Sequence, residues 1–285
     1  FTDYTLRTIT LGTAVLGAIC GMLGSFAVLR KQSLLGDVIS HAALPGICIS
    51  FILTLSKNPL LLLLGAFTTG LIGTLFINVL IKKTFLKQDT ALGIVLSVFF
   101  GVGILLLTVI QNIPTARQSG LDSFLFGNAA SMLLIDIIIL NISFLSITFI
   151  TILCFKEFKG ISFDLNFMKT LGFPVNRIEF LLTLLLVLTI VMGLQTVGVI
   201  LMSALIIAPG VAARQWTNQL HIMIIIACLF STIASITGVL ISSSINHMPT
   251  GPSIVIIISL IVFLSLLFSP NRGIYQIKKI MNRKK

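Results

Sequence analysis

Apolar residues in this chain come in long, nearly unbroken blocks, not in the one-sided stripes of a soluble helix. A helix crosses the ~30 Å hydrocarbon core with about 20 such residues. Nine blocks answer to that description: Ile9–Leu29, Leu34–Leu55, Leu60–Ile81, Ala91–Ile110, Leu133–Phe155, Ile178–Leu194, Val197–Ala213, Leu220–Ser243 and Ser253–Phe268. The stretch from Ile178 to Ala213 overruns one crossing at ~1.5 Å rise per residue. Its Gly193–Gly198 segment, GLQTVG, predicts a turn that divides it. Eight spans with a re-entrant or broken piece is the alternative. The pattern therefore predicts an all-α polytopic membrane protein of about 8–9 transmembrane helices. Residues 1–285 read as a single transmembrane domain, with a basic tail over 269–285.

Composition agrees. Hydrophobic residues make up 56% of the chain and charged ones 9%, against about 25% charged in a soluble domain. Mean hydropathy is +1.13. A net charge of +11 would suit a nucleic-acid partner, but the basic residues stand between apolar blocks, so they report topology and nucleic acid is excluded. With the N-terminus outside, every Lys and Arg except Arg7, Lys57 and Arg117 falls on the cytoplasmic side. The C-terminus is then cytoplasmic too, and its basic tail anchors to anionic lipid. The start of the chain lacks the basic region and cleavage site of a signal peptide, so its first block reads as a true span. Cys20, Cys48, Cys154 and Cys228 lie in or at the ends of apolar blocks without CxxC spacing, which reads as buried, inert thiols.

No connection is long enough for a soluble domain; Lys156–Arg177 inside and Gln111–Asn128 outside are the longest. The chain has no GxxxxGK[ST] loop, no HExxH and no GxSxG, and three histidines in all. It therefore reads as a transport subunit, not an enzyme, and carries no covalently bound cofactor.

The chemistry concentrates in RKQSLLGDVISHAALPG, Arg30–Gly46. Asp37 and His41 stand four apart, which on a helix places them on one face, one turn apart. Ionisable groups inside a span are costly and mark function by default. One oxygen and one nitrogen donor suit Mn²⁺, Zn²⁺ or Fe²⁺ better than Cu⁺, which prefers sulfur. Pro45 removes the helical bond to the His41 carbonyl, and with Gly46 it predicts a bent or locally open helix there. Two ligands from one chain are too few; a symmetric dimer supplies two Asp and two His. The structural reading is that Asp37 caps a helix while His41 bonds a neighbouring one. Asp136 reads as an interfacial acid with a lesser claim on the metal path. His221 reads as structural, His247 as a solvated loop residue or weak external ligand, and Met22, Met192 and Met202 as packing. In APGVAARQWTNQL, Ala208–Leu220, Pro209-Gly210 predicts a break followed by a short amphipathic helix that carries Arg214 and Trp216. Such a helix either docks in a partner's groove or is an ordinary connection.

Five stretches, RKQSLLGDVISHAALPG, QDTALGIVLSVFF, SGLDSFLFGNAASM, LQTVGVILMSALIIAPGVAAR and MPTGPSIVIIISL, resemble the signatures of the manganese/zinc/iron ABC-importer permeases in their expected order, from roughly Gly12 to Pro270. The resemblance implies a homodimeric plasma-membrane permease working with two cytoplasmic ATPase subunits, which bind the ATP, and an extracytoplasmic metal-binding protein. It places Asp37 and His41 at metal-coordinating positions and Ala212–Gln219 at the ATPase contact. GDxxSHAxLPG with GLDSFLFGNAA is more similar to the manganese/iron branch than to the zinc branch, so Mn²⁺ is the first expectation, then Zn²⁺ or Fe²⁺. The rival reading is a stand-alone proton-coupled or channel-type cation carrier, which would normally show more buried acids or an inverted repeat than Asp37, His41 and Asp136 provide.

Overall fold

In lipid, backbone N–H and C=O groups have no water to bond and close on themselves. Each apolar block accordingly forms a helix. The computed structural model describes residues 4–32, 34–55, 58–111, 134–245 and 248–269, and among them the regular elements are all helices. They are α1 (Tyr4–Leu29), α2 (Leu35–Thr54), α3 (Pro59–Lys83), α4 (Gln88–Gln111), α5 (Leu134–Leu153), α6 (Phe155–Phe163), α7 (Leu165–Thr170), α8 (Val175–Trp216), α9 (Leu220–Ser244) and α10 (Thr250–Phe268). Among the described residues 9 helical stretches are long and apolar enough to span a membrane, α8 supplying two, Val175–Leu194 and Thr196–Trp216.

Several helices overrun the apolar blocks, and α3 shows why. Asn58 accepts the Leu60 N–H on its side chain at 3.1 Å, and Pro59 takes the first position, where no N–H is needed. Lys82 and Lys83 fill the last turn, where cations face the carbonyl end.

The turn expected in Gly193–Gly198 is present. A straight helix as long as α8 would measure about 63 Å, twice the hydrocarbon core. Gly198 instead adopts φ 81°, ψ 171°, non-helical values inside α8, in a region open essentially to glycine alone. The chain folds back there: a Cβ on Gly193 would lie 2.1 Å from the Met202 sulfur, whereas nine residues of straight helix would hold them about 13 Å apart.

Neither proline interrupts its helix. Pro209-Gly210 does not end a span, because α8 continues helically to Trp216. Ala212 and Ala213 beyond it are fully buried, so packing outweighs the one lost backbone bond. Pro45 does not open α2 either, which is helical from Leu35 to Thr54.

The chain forms two compact units, Phe1–Ser33 with Ala129–Glu179 and Ala204–Lys285, and Leu34–Asn128 with Phe180–Ser203. In the second unit α2 is the centre. Residues Leu35–Gly46 are buried but for Asp37 and His41, and α3 and α4 pack on it and on each other. A Cβ on Gly46 would sit 2.0 Å from the Gly65 carbonyl oxygen, so only glycine lets these two backbones meet. Leu44 packs onto Gly103 of α4.

In the first unit α1 packs against α5, α6 and α9, and α9 against α10. Phe26 meets Phe158 of α6 edge to face, centroids 5.8 Å apart. Ala213, Met223 and Ala227 form a small core covered by Val28, Leu29 and Ile226. The end of α8 is tied to α10 by the Trp216 Nε1–H bond to Ser265 Oγ at 3.0 Å and by the Ser269 hydroxyl, which donates to the Gln215 carbonyl. The Lys156–Arg177 connection holds α6 and α7. The first buries Phe158 and Ile161, three apart on one face. The second is capped by Asp164, whose carboxylate accepts the Asn166 and Phe167 N–H groups at 2.9 and 3.0 Å.

Candidate metal-binding site

Asp37 lies in the first turn of α2, where the positive end of the helix favours a carboxylate. His41 follows one turn later. Its Nε2 is 3.7 Å from Asp37 Oδ1, too long for a hydrogen bond and well suited to a shared ion. Bonds of ~2.1 Å to each atom would close at roughly 120°. The side chains are 39% exposed for Asp37 and 20% for His41, so both donors can be reached while the rest of this turn is packed.

The His41 ring is held from one side by Phe100 of α4, edge to face at 4.7 Å between centroids. Its Nδ1 is buried with no hydrogen-bond partner. No group of three His, Cys, Asp or Glu side chains comes together among the described residues. The spacing rule therefore delivered the pair on one face and no further ligand with it.

The remaining candidates lie apart in the chain. Asp136 is half-buried in the first turn of α5. His221 is exposed at the start of α9. His247, the Gln111–Asn128 connection beyond Gln111 and the basic tail beyond Ser269 lie outside the described residues. Met22 and Met202 are core residues. All four cysteines are free, Cys20 and Cys48 buried, Cys154 and Cys228 half-buried.

The chain as a whole has counterparts among known proteins. Residues 2–269 match the family described as the ABC 3 transport family. The chain belongs to that family. It is 45% identical over 278 residues to the zinc transport system membrane protein TroC of Treponema pallidum, covering 97% of this chain and 93% of that one. It is 48% identical over 263 residues to the manganese transport system membrane protein MntC of Bacillus subtilis, covering 92% of this chain and 60% of that protein's length. Among solved structures, a chain of PsaBC from Streptococcus pneumoniae in complex with Fab matches at 33% identity with a TM-score of 0.84, over 97% of this chain and 96% of that one. This ABC 3 chain is thus a multi-pass plasma-membrane permease subunit, not an enzyme.

One functional-looking pair escapes a reading of the sequence. Just past α1, the Arg30 guanidinium donates to the Glu179 carboxylate near the start of α8. Side-chain exposure is 7% for Arg30 and 18% for Glu179. Burial pulls the Arg30 pKa below its ordinary value, and the Glu179 carboxylate opposes that shift. Nη1 of Arg30 is buried without a partner. Arg30 reads from sequence as a topology charge; the lone acid in the Ile178–Leu194 block was the available signal.

The Ala212–Gln219 segment is no separate amphipathic helix. It is the end of α8 and a short link to α9, with Trp216, Asn218 and Gln219 exposed.

Proposed function

We propose that this chain is one half of a homodimeric ABC importer that carries a divalent first-row metal ion into the cytoplasm, Mn²⁺ first, then Zn²⁺ or Fe²⁺. Asp37 and His41 from each copy hold the ion transiently. The observation that carries this reading is their geometry: a nitrogen and an oxygen donor 3.7 Å apart on one face of α2, in a membrane helix where ionisable groups are rarely structural. Two chains supply the four donors that one chain lacks, and the N/O set matches the preference of these ions. Relatives named for manganese and for zinc transport support the metal class, and the motif wording favours manganese.

Orientation in the membrane follows from charge. With the N-terminus outside, the basic connections lie inside, and the C-terminus is cytoplasmic. One end of the first unit then faces the ATPases, which hold the ATP. Its surface includes Trp216, Asn218 and Gln219 in the Ala212–Gln219 stretch. It continues over α6 and α7, where Lys156, Lys159 and Lys169 stand among exposed Phe163 and Phe167. The Phe26–Phe158 contact and the packing of Val28 and Leu29 on Ala213 hold these pieces at that end. A metal-binding protein outside loads the path, and the basic tail rests on anionic lipid.

Uptake of radioactive manganese by cells expressing His41→Ala, with membrane level and co-purification of the ATPase checked, tests this reading. The expected result is a fall of at least about tenfold with assembly intact. Unchanged uptake would show that the pair is structural.

A further inference from the structure

We infer that Phe100 is a positioning residue for His41 and so tunes metal binding, an inference that rests on the ligand reading above. A metal-binding histidine normally donates its second ring N–H to a carboxylate, carbonyl or water, which fixes the ring's rotation. His41 has no such device among the described residues: Nδ1 is buried and unpartnered, and the 3.7 Å separation leaves Nε2 without a hydrogen bond to Asp37. What touches the imidazole is the Phe100 ring, at 4.7 Å and 70°, an edge-to-face geometry with a preferred orientation.

Core packing does not account for that ring. Phe100 is 37% exposed, and the buried stripe of α4 runs through Ala91, Leu92, Val95, Gly103, Leu107 and Ile110. Its backbone is nonetheless firmly placed, because Leu44 of α2 seats on Gly103 less than one turn away. A rigid helix therefore presents an aromatic edge to a ring that no hydrogen bond orients. The neighbouring Phe99 points elsewhere, toward Gly73 of α3, and serves as a control on the same helix.

The test uses the whole permease–ATPase complex in lipid nanodiscs, titrated with Mn²⁺ alone. Free Mn²⁺ is read by electron paramagnetic resonance, and the histidine nitrogen coupling to bound Mn²⁺ by its pulsed form. Phe100→Leu is expected to raise Kd between roughly twofold and tenfold and to broaden the nitrogen coupling. Phe100→Tyr keeps both near wild type, and Phe99→Leu changes neither. A raised Kd with an unchanged nitrogen coupling would mean only a structural loss and would overturn the inference, as would no change in either quantity. If Phe100→Leu does not assemble, Phe100→Met takes its place; failure of both overturns the inference, since the ring is then needed for the fold. His41→Ala, run in parallel, separates the two readings. If it removes the nitrogen signal while the Phe100 variants are silent, only positioning falls. If it leaves binding and signal intact, the ligand reading itself falls.

Discussion

Removing the Glu179 carboxylate should unmask the cost of burying Arg30. In the native protein the Arg30 side chain is 7% exposed and that of Glu179 18%. Breaking a buried pair from one side costs about 3–5 kcal/mol, because the remaining charge is left desolvated. Some water reaches Glu179, so the lower end applies, about 3 kcal/mol, or roughly two orders of magnitude in the unfolded fraction. Removing both charges is different: apolar replacement of a buried pair is often neutral or stabilising. Glu179→Gln should therefore be strongly destabilised, and Arg30→Met combined with Glu179→Leu should recover most of the loss. Thermal unfolding of the detergent-solubilised protein, followed by size-exclusion fluorescence, measures both. A base whose folded pKa is lowered binds fewer protons in the folded state, so stability rises with pH only between the lowered and the ordinary value. For Arg30, whose value burial lowers, stability should therefore rise with pH as the ordinary guanidinium value is approached from below. A single variant that loses less than about 0.5 kcal/mol, the level of an exposed pair, would refute the reasoning. So would a double variant less stable than the single one.

Further outcomes follow from glycine geometry. Gly46→Ala would place a Cβ 2.0 Å from the Gly65 carbonyl, which must push α2 off α3. Overpacking of this kind costs about 1–3 kcal/mol. Because α2 carries Asp37 and His41, manganese uptake should fall even though residue 46 touches no metal, and uptake at the wild-type level would contradict it. Gly198→Ala forces a side chain to φ 81°, ψ 171°, costing about 1–3 kcal/mol. A lowered unfolding temperature is expected, and an unchanged one would mean that the turn can relax.

How much was legible beforehand varies with the physics involved. Burying apolar surface in lipid depends on length and composition along a segment. The nine spans, and the turn inside the longest block, could therefore be read directly. So could the shared face of Asp37 and His41, since helix periodicity alone puts residues four apart together. The GDxxSHAxLPG wording pointed correctly to the family. Pro209 misled because a missing backbone bond is a local cost, while the packing that offsets it comes from helices distant in sequence. The pairs α2–α3 at Gly46–Gly65 and α2–α4 at Leu44–Gly103 carry no local mark beyond a small residue.

What the sequence determined, then, is whatever a residue contributes by itself or with its near neighbours: the apolar blocks that form the spans, and the register of an Asp/His pair. What tertiary structure decided is which groups meet. Arg30 and Glu179 are 149 residues apart, and each looks like an ordinary charge until desolvation joins them. Phe100 looks like one of many lipid-span phenylalanines until α4 is seated on α2. Contact between distant residues depends on backbone approach in three dimensions, and no periodicity along the chain encodes it.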